Sequence, residues 1–487
     1  MREQVRKPSL LEAFIPIIFL VILLYSNVYI FGDDALSGSN QIVLLLAAAL
    51  AAVIAYRLGI TYDYIQEAIV TSISSALSSI LILLLIGSLA GTWMISGIVP
   101  AMIYYGLQVL NPTIFLFATC IISAVVSVAT GSSWTTVATV GIALLGIGQA
   151  LGLSEGLIAG SIISGAYFGD KMSPLSDTTN LAPAMAGTDL FTHIRYMAYT
   201  TVPTFAITLI IFLVWGFTGN DDLVIEDTAP VLAAITNTFN ISGWLFIVPV
   251  VVIGLIVRKV PALPALLAGT LLGGLFAVIF QPEIINKISG ISDNFALSAY
   301  IAVLKSMYTD VSIVTSNTMV DELLHTRGMA GMLNTIWLIV TAMVFGGAME
   351  AGGLLQRITA SIIQLAHSTG SLVASTVGTC IFFNLTASDQ YLAIVVPGRM
   401  FAETYRERGL KPENLSRTLE DSGTVTSVLV PWNTCGATQA TVLGVATLTY
   451  LPYCFFNILS PFMTIIFAYA NIKIARVDRP AEVKVNP

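Results

Sequence analysis

The chain has 487 residues, of which 56% are hydrophobic and only 10% are charged, and its mean hydropathy is +0.86. Soluble globular proteins carry about 25% charged residues, so the composition predicts an all-α polytopic membrane protein in contact with lipid. The net charge of −7 is small for this length and gives no support to nucleic-acid binding. Four cysteines and three histidines are scattered without ligand spacing, so no zinc site, disulfide framework or cofactor is expected.

Ten apolar stretches predict transmembrane helices, since a helix needs about 20 residues to cross a bilayer. They lie at about 11–31, 41–58, 71–98, 155–187, 196–217, 243–257, 262–280, 331–355, 414–447 and 448–472. The first stretch follows basic residues but does not end in a small-residue cleavage site. It is therefore interpreted as a retained span and not as a signal peptide.

Two more apolar pairs, at about 113–150 and 371–399, each have a polar, serine-containing break near the middle. Each arm is roughly 13 to 17 residues long, which is shorter than the ~20 residues that a span needs. Two re-entrant helical hairpins are therefore predicted. Alternatively, each pair is two ordinary short spans joined by a loop.

The distribution of basic residues predicts the orientation of the chain, because Lys and Arg collect in cytoplasmic loops. They lie in the N-terminus, near residues 57, 195, 258 and 357, in 399–417 and in the tail, from Arg2 to Arg479. The loops between them are acidic, with Asp33, Asp34 and the run Asp221, Asp222, Glu226 and Asp227. Ten crossings with two hairpins place both termini in the cytoplasm. The charge pattern does not distinguish re-entrant hairpins from pairs of full spans, because two full spans in place of a hairpin would keep the number of crossings even.

One polar pattern occurs twice within the apolar sequence. Thr130-Gly-Ser-Ser-Trp134 is followed by Pro174-Leu-Ser-Asp-Thr178. In the second half, Thr386-Ala-Ser-Asp-Gln390 is followed by Pro431-Trp-Asn-Thr-Cys435. Polar interruptions at corresponding positions of two halves are typical of transporters that are built from repeats.

The spacing of single residues supports the same duplication. Gly91, Gly97 and Thr130 recur 256 residues later as Gly347, Gly353 and Thr386. With the first hairpin entering from outside and the second from the cytoplasm, the two repeats are predicted to be inverted. The predicted parts are a tail and first span (1–40), repeat 1 (41–217), a connector with a linking helix (218–261), repeat 2 (262–472) and a cytoplasmic tail (473–487).

Helix-breaking residues fall inside two of the predicted spans, at about 155–187 and about 414–447. Gly169 and Pro174 interrupt the first and Pro431 the second, because proline lacks a backbone donor and clashes with the preceding turn. The freed backbone groups would cost several kcal/mol each in lipid. Two broken helices that line a cavity are therefore predicted. Their carbonyls, hydroxyls and amides suit a hard cation such as Na⁺, by analogy with Ca²⁺ and Mg²⁺.

Three aspartates lie at the predicted breaks or hairpin tip, namely Asp170, Asp177 and Asp389. A charged residue at the bilayer centre costs about 2.5–3.5 kcal/mol on insertion scales, so each of them is a functional candidate. Na⁺ and H⁺ compete for the same carboxylate oxygens, which is the physical basis of antiport. Asp177 and Asp389, one from each repeat, are the best candidates for holding either ion.

Each aspartate also has a structural interpretation. Asp170 could be neutralised by Lys171, or could cap the second half-helix. Asp177 could cap the half-helix that begins near Thr178. Asp389 could lie nearer the cytoplasmic surface if the hairpin is shallow.

Other polar residues at these places are also candidates. Five of them are either cation ligands or tip and cap residues: Ser132, Ser133, Ser388, Asn433 and Thr434. Glu420 and Asp421 are interpreted as the start of a helix or part of an entrance vestibule near the cytoplasm.

The segments Gly131–Gly141 (GSSWTTVATVG) and Gly169–Thr179 (GDKMSPLSDTT) resemble NhaC-type sodium/proton antiporters, and Asn384–Arg399 and Asp421–Gly436 fit the same family. The resemblance implies the ion transporter superfamily, with inverted repeats and with a mobile region that moves against a scaffold as an elevator in a homodimer. The family's polar motifs match Ser132, Ser133, Asp170, Asp177, Thr178, Ser388, Asp389, Asn433 and Thr434. The family also includes sodium-coupled exchangers of small organic acids, such as malate/lactate antiporters.

The sequence therefore predicts a sodium/proton antiporter of a prokaryotic inner membrane. The alternative is sodium-coupled transport of a small organic acid or amino acid, with the substrate anion held by half-helix N-termini and tip amides. Lys171 is the only basic residue at the predicted site, which disfavours a dicarboxylate. An enzyme is not expected, because no metal-ligand set and no nucleophile with a plausible base is evident.

Overall fold

The computed structural model describes residues 6–31, 38–218, 229–315, 317, 320–321, 324–364 and 366–477. The described chain is almost entirely helical, which confirms the predicted all-α fold. Some charged residues used above for orientation lie outside the described residues: Arg2, Asp33, Asp34, Asp221, Asp222, Glu226, Asp227 and Arg479.

The first half contains eleven helices before the connector. They are α1 (Leu10–Phe31), α2 (Ser39–Arg57), α3 (Tyr62–Ser75), α4 (Leu77–Ile95), α5 (Ile98–Val109), α6 (Pro112–Thr130), α7 (Ser133–Thr136), α8 (Ile142–Ala150), α9 (Glu155–Met172), α10 (Asp177–Ala186) and α11 (Leu190–Thr218). A π-helical turn, Val137–Gly141, joins α7 to α8 without a break.

The connector and the second half are also built from helices. The helices are α12 (Ala229–Thr238), α13 (Ile247–Val257), α14 (Ala262–Phe280), α15 (Pro282–Ser289), α16 (Phe295–Tyr308), α17 (Leu333–Ala351), α18 (Leu354–Ile363), α19 (Thr369–Thr386), α20 (Gln390–Glu407), α21 (Pro412–Leu419), α22 (Thr434–Leu443), α23 (Thr447–Tyr450) and α24 (Phe455–Tyr469). Two short strands, β1 (Val311–Ser312) and β2 (His325–Thr326), pair antiparallel outside the helices.

Within the described residues, nine helices are long and apolar enough to cross a bilayer, and two bent helix pairs raise the number to eleven. Eight of the ten predicted spans coincide with one of these helices or bent pairs, and the other two, 155–187 and 414–447, are the predicted broken spans. The break in the first predicted broken span lies between α9 and α10. In the second, α21 runs into the π-helical turn Glu420–Thr424, and α22 starts again at Thr434. The prediction of two broken helices is confirmed.

The arms of the two hairpins are longer than predicted. They have 19 and 18 residues in the first hairpin and 18 each in the second. The expected 13 to 17 residues were wrong because polar residues at the ends of the apolar runs are also helical, as in α20, which continues to Glu407. Asn111 caps α6, and Ser368 forms a capping box at the start of α19. Arm length therefore does not separate re-entrant hairpins from short spans, and the re-entrant geometry stays a prediction.

The two halves repeat unusual backbone conformations at matching positions. Gly97 and Gly353 both have a positive φ, 80° and 64°, just before α5 and α18. At the hairpin tips, Gly131 and Ser388, which are one residue off the 256-residue spacing, are left-handed with φ of 69° and 59°. Such conformations are uncommon outside glycine, so their recurrence supports the duplication. The inverted orientation of the halves stays a prediction.

Small residues bring the first hairpin close to the first broken helix. A Cβ on Gly165 or Gly169 of α9 would collide with the backbone oxygens of Cys120 and Ala124 in α6. Glycine therefore allows the two helix backbones to approach, as small residues do between membrane helices. This packing places the end of α9 directly beside the tip of the first hairpin.

Candidate functional site

The tip of the first hairpin is a tight turn between α6 and α7. Gly131 ends α6 in the left-handed region, and a Cβ there would lie 2.6 Å from Leu175 Cβ. Ser132 caps α7, and its Oγ accepts a hydrogen bond from Thr135 N at 3.2 Å. The tip is therefore packed against the break of the first broken helix, where Leu175 lies.

The first broken helix stops at Met172 and restarts at Asp177. The residues between them are non-helical, since Pro174 cannot continue the backbone ladder. Ser176 caps α10 by accepting a hydrogen bond from Thr179 N at 3.4 Å. The alternative in which Asp177 caps this helix is thus wrong, because the neighbouring serine does so and Asp177 is the first helical residue.

Asp170 connects the break to the hairpin tip. Its side chain is buried, and one carboxylate oxygen accepts hydrogen bonds from Ser133 N at 3.0 Å and Ser133 Oγ at 2.7 Å. Hydrogen bonds of this kind to a charged acceptor are among the stronger ones in proteins. Both structural alternatives for Asp170 are wrong. Its carboxylate bonds to the hairpin instead of capping the second half-helix, and Lys171 pairs with Asp421 of the second half.

The tip of the second hairpin carries its carboxylate on the turn itself. Ser388 is left-handed, and its buried hydroxyl has no hydrogen-bond partner within the described residues. Asp389 caps α20 by accepting a hydrogen bond from Leu392 N at 3.0 Å, and its side chain is only 3% exposed. The depth of Asp389 in the membrane stays a prediction.

The second break is held by amide side chains. Asn433 caps α22 by accepting a hydrogen bond from Cys435 N at 3.0 Å, and its amide donates to Asn384 O and Oδ1 at 3.1 Å. Thr434 N donates to Ser388 O at 2.9 Å, which joins the break to the second tip. Asn433 therefore acts as a structural cap in this conformation.

One cavity of about 750 Å³ meets both tips and the first break. Five of the candidate residues line it: Ser132, Asp170, Asp177, Thr178 and Thr434. The other four candidates are not among its lining residues: Ser133, Ser388, Asp389 and Asn433. Asp177 is exposed there. Gln390 and Tyr391 also line the cavity and were missed from the sequence, although they directly follow Asp389.

A second cavity of about 690 Å³ touches the opposite ends of the same helices. On α4, the first cavity touches Ser78 and Ile82, whereas the second touches Ala90 and Met94. In the second arm of the first hairpin, the first cavity touches Ser132 and Thr135, and the second touches Leu145 and Gln149. Both cavities also touch α22, the first near its start and the second further along the helix. The tips and breaks thus lie between two cavities that approach from opposite sides.

A buried cluster of charges was missed from the sequence. Lys171 forms an ion pair with Asp421, and both side chains are fully buried. Glu420, beside it, is also fully buried. The interpretation of Glu420 and Asp421 as an entrance vestibule is therefore wrong, as is that of a helix start, because both belong to the π-helical turn that continues α21. The signal in the sequence was an acidic pair inside a predicted span.

Comparison with known proteins gives consistent results. A family model described as the Na⁺/H⁺ antiporter family matches residues 165–472. The Na⁺/H⁺ antiporter NhaC of Alkalihalophilus pseudofirmus is 37% identical over 90% of this chain and 91% of its own. The malate-2H⁺/Na⁺-lactate antiporter of Bacillus subtilis is 37% identical over 96% of each chain. The arginine/ornithine antiporter ArcD of Halobacterium salinarum is 34% identical over 97% and 94%.

Proposed function

Because this chain belongs to the Na⁺/H⁺ antiporter family, we propose that it exchanges cytoplasmic Na⁺ for external H⁺ as a secondary active antiporter with alternating access. The observation that carries the proposal is the cavity in which Asp170 and Asp177 meet the hydroxyls of Ser132, Thr178 and Thr434. Two carboxylates among neutral oxygens form a site for a small hard cation. A proton can take the place of that cation on either carboxylate.

The proposed ion-binding residues include groups from both halves. Asp177 and Asp389 carry the competing Na⁺ and H⁺, with Asp170 close by. The remaining oxygens of the cation shell come from hydroxyl and amide side chains: Ser132, Ser133, Thr178, Ser388, Asn433 and Thr434. In this conformation Asp389 is buried and does not line the cavity, although the next two residues, Gln390 and Tyr391, do. We expect it to reach the cation when the second tip moves during transport.

The two opposed cavities support alternating access. The aspartate-lined cavity also touches Lys259, which belongs to a basic loop that the positive-inside rule places in the cytoplasm. This cavity is therefore the proposed cytoplasmic path, and the other is the external one. We further propose a multi-pass protein of a prokaryotic inner membrane with cytoplasmic termini, working as an elevator in a homodimer.

A second candidate is sodium-coupled exchange of a small organic acid or amino acid. The size of the cavity favours it, because about 750 Å³ lies within the range of small-molecule sites, about 300–1,000 Å³. The names of two relatives, with malate and lactate or arginine and ornithine, point the same way. Against it, Lys171 is paired with Asp421, so it is not free to bind a carboxylate substrate.

Ion flux in proteoliposomes tests the proposal. Vesicles loaded with Na⁺ and a pH-sensitive dye are diluted into Na⁺-free buffer, and protein-free vesicles are the control. An antiporter lets Na⁺ leave and H⁺ enter, so we expect the lumen to acidify with no organic solute present. Acidification that strictly requires malate, lactate, arginine or ornithine would support the second candidate instead.

A further inference from the structure

A buried ion pair lies next to the proposed sodium site and joins the two halves. Lys171, at the end of α9, pairs with Asp421 and also donates a hydrogen bond to Ser460 Oγ at 3.1 Å. The other oxygen of Asp421 accepts a hydrogen bond from Thr200 Oγ1 at 2.8 Å. Asp421 therefore has both a counter-charge and a hydroxyl donor as partners in its fully buried position.

Glu420 has the same burial but none of these partners. Its side chain is fully buried, and neither carboxyl oxygen has a hydrogen-bond partner within the described residues. Thr424, one turn further along, has a buried hydroxyl that is also unpartnered in the described part of the chain. An ionised carboxylate in this position would cost several kcal/mol, because the hydroxyl of Thr424 is the one side-chain hydrogen-bonding group near it within the described residues that could replace its hydration. The neutral, protonated carboxyl is the form that suits this environment.

The charges around Glu420 lead to the same conclusion. The groups that face it are Lys171 and Asp170 on α9 and its own neighbour Asp421. Lys171 is already paired with Asp421. Asp170 accepts the two hydrogen bonds from Ser133. One cation thus stands among three carboxyl groups.

Titratable groups on the other helices packed against this turn do not supply a second cation to Glu420. Within the described residues, α10 brings Asp177 and α19 brings Cys380, and α24 carries no charged side chain. The α20 helix also packs against the turn, but its basic residues Arg399 and Arg406 are both exposed. Arg417 of α21 stacks on the ring of Tyr196, with its guanidinium carbon 4.6 Å from the ring centroid.

We propose that Glu420 is a proton-binding residue of the transport cycle, distinct from the carboxylates that take Na⁺. The proposal rests on the antiport function proposed above. Na⁺ that binds beside Asp170 adds positive charge next to the Lys171 pair and disfavours a proton on Glu420. By reciprocity, a proton on Glu420 weakens Na⁺ binding by the same factor. The proton leaves the carboxyl group for water as Na⁺ enters, which is the order that antiport requires.

Two flux assays on Glu420→Gln test this assignment. Glutamine keeps the size of the side chain but cannot exchange a proton. We expect loss of Na⁺-driven acidification, while exchange of radioactive Na⁺ for unlabelled Na⁺ across the same vesicles persists, because that exchange needs no proton. The matched control is Glu403→Gln, an exposed glutamate on α20, which should keep both activities.

The possible results separate the hypotheses. Retained acidification in Glu420→Gln would overturn the proposal, and so would loss of both activities in a folded protein, since that indicates a structural role. Glu420→Asp keeps a titratable group and should restore acidification with a shifted pH profile. If Glu420→Gln does not fold, an unshifted profile for Glu420→Asp overturns the proposal. Failure of the antiport function itself would show differently, as absence of acidification by the wild-type protein.

Discussion

The two halves share a backbone plan but carry their charges in different places. In the first half the carboxylates are at the break, on Asp170 and Asp177, and the tip presents the hydroxyl of Ser132. In the second half the carboxylate that is a candidate for binding the cation is at the tip, on Asp389, and the break is capped by an amide, Asn433. Two other carboxyl groups, Glu420 and Asp421, are fully buried in the turn before that break. The comparison teaches that the duplication repeats turns and caps, whereas the charge is not placed symmetrically. A cation between the halves would meet the break of one and the tip of the other.

The charges also differ in accessibility. Asp177 is exposed on the cavity, and its carboxylate makes no hydrogen bond within the described residues. Asp389 is 3% exposed, and its carboxylate accepts the hydrogen bond from Leu392 N. The first half thus offers the free carboxylate in this conformation, and the second half holds its carboxylate in a helix cap.

The largest effect is expected from removing these charges, with Asp177→Asn and Asp389→Asn. A carboxylate attracts a cation about 4 Å away by about 4 kcal/mol at an effective dielectric constant of about 20. We therefore expect each variant to lose Na⁺-driven acidification about 100-fold or more. Thermal unfolding of the purified proteins should match the wild type, since Asn at 389 still accepts the capping hydrogen bond.

Asp189→Asn is the matched control for these variants. Asp189 is exposed outside the cavity and accepts a hydrogen bond from Thr192 N at 2.9 Å, which asparagine can also do. Its flux should equal that of the wild type. Wild-type flux in Asp177→Asn and Asp389→Asn would remove both residues from the mechanism. Loss of flux in Asp177→Asn alone would show that the carboxylate that holds Na⁺ or H⁺ comes from the first half.

Much of this asymmetry could be predicted from the sequence, because a proline or carboxylate in an apolar run is costly and therefore locates a break. The spans, both broken helices and the tip at Asp389 follow from that reasoning. The partner of Lys171 does not, because Asp421 lies 250 residues away and only packing brings them together. The identity of a cap also depends on which neighbour reaches the free N–H, so Ser176 rather than Asp177 caps α10.

An intermediate effect is expected from alanine at the left-handed glycines. Gly131 and Gly187 have φ of 69° and 86°, so either substitution costs about 1–2 kcal/mol in backbone strain. A Cβ at Gly131 would also collide with Leu175, because it would lie 2.6 Å from the Cβ and 2.7 Å from the carbonyl carbon of that residue. A Cβ at Gly187 would meet no atom within 4 Å. We expect Gly131→Ala to lower the free energy of unfolding by about 1–3 kcal/mol more than Gly187→Ala. Equal melting temperatures for Gly131→Ala and Gly187→Ala would show that the first hairpin tip is not closely packed against the first break.

The smallest effect is expected at the cap of the first tip. Ser132 Oγ accepts hydrogen bonds from Thr135 N and Thr135 Oγ1, both at 3.2 Å, so Ser132→Ala should cost about 1 kcal/mol of stability. Ser154 precedes α9 without a side-chain capping bond, so Ser154→Ala should change the melting temperature little. Equal melting temperatures for the two variants would contradict the cap.

The same pair of variants separates the cap from the cation shell. Because Ser132 lines the cavity, loss of its oxygen should also raise the Na⁺ concentration for half-maximal acidification about fivefold, equivalent to about 1 kcal/mol. Ser154 is outside the cavity lining, so its variant should keep the wild-type value. A stability loss with an unchanged half-maximal Na⁺ concentration would restrict Ser132 to the role of a cap. The first half would then bind Na⁺ through its break alone.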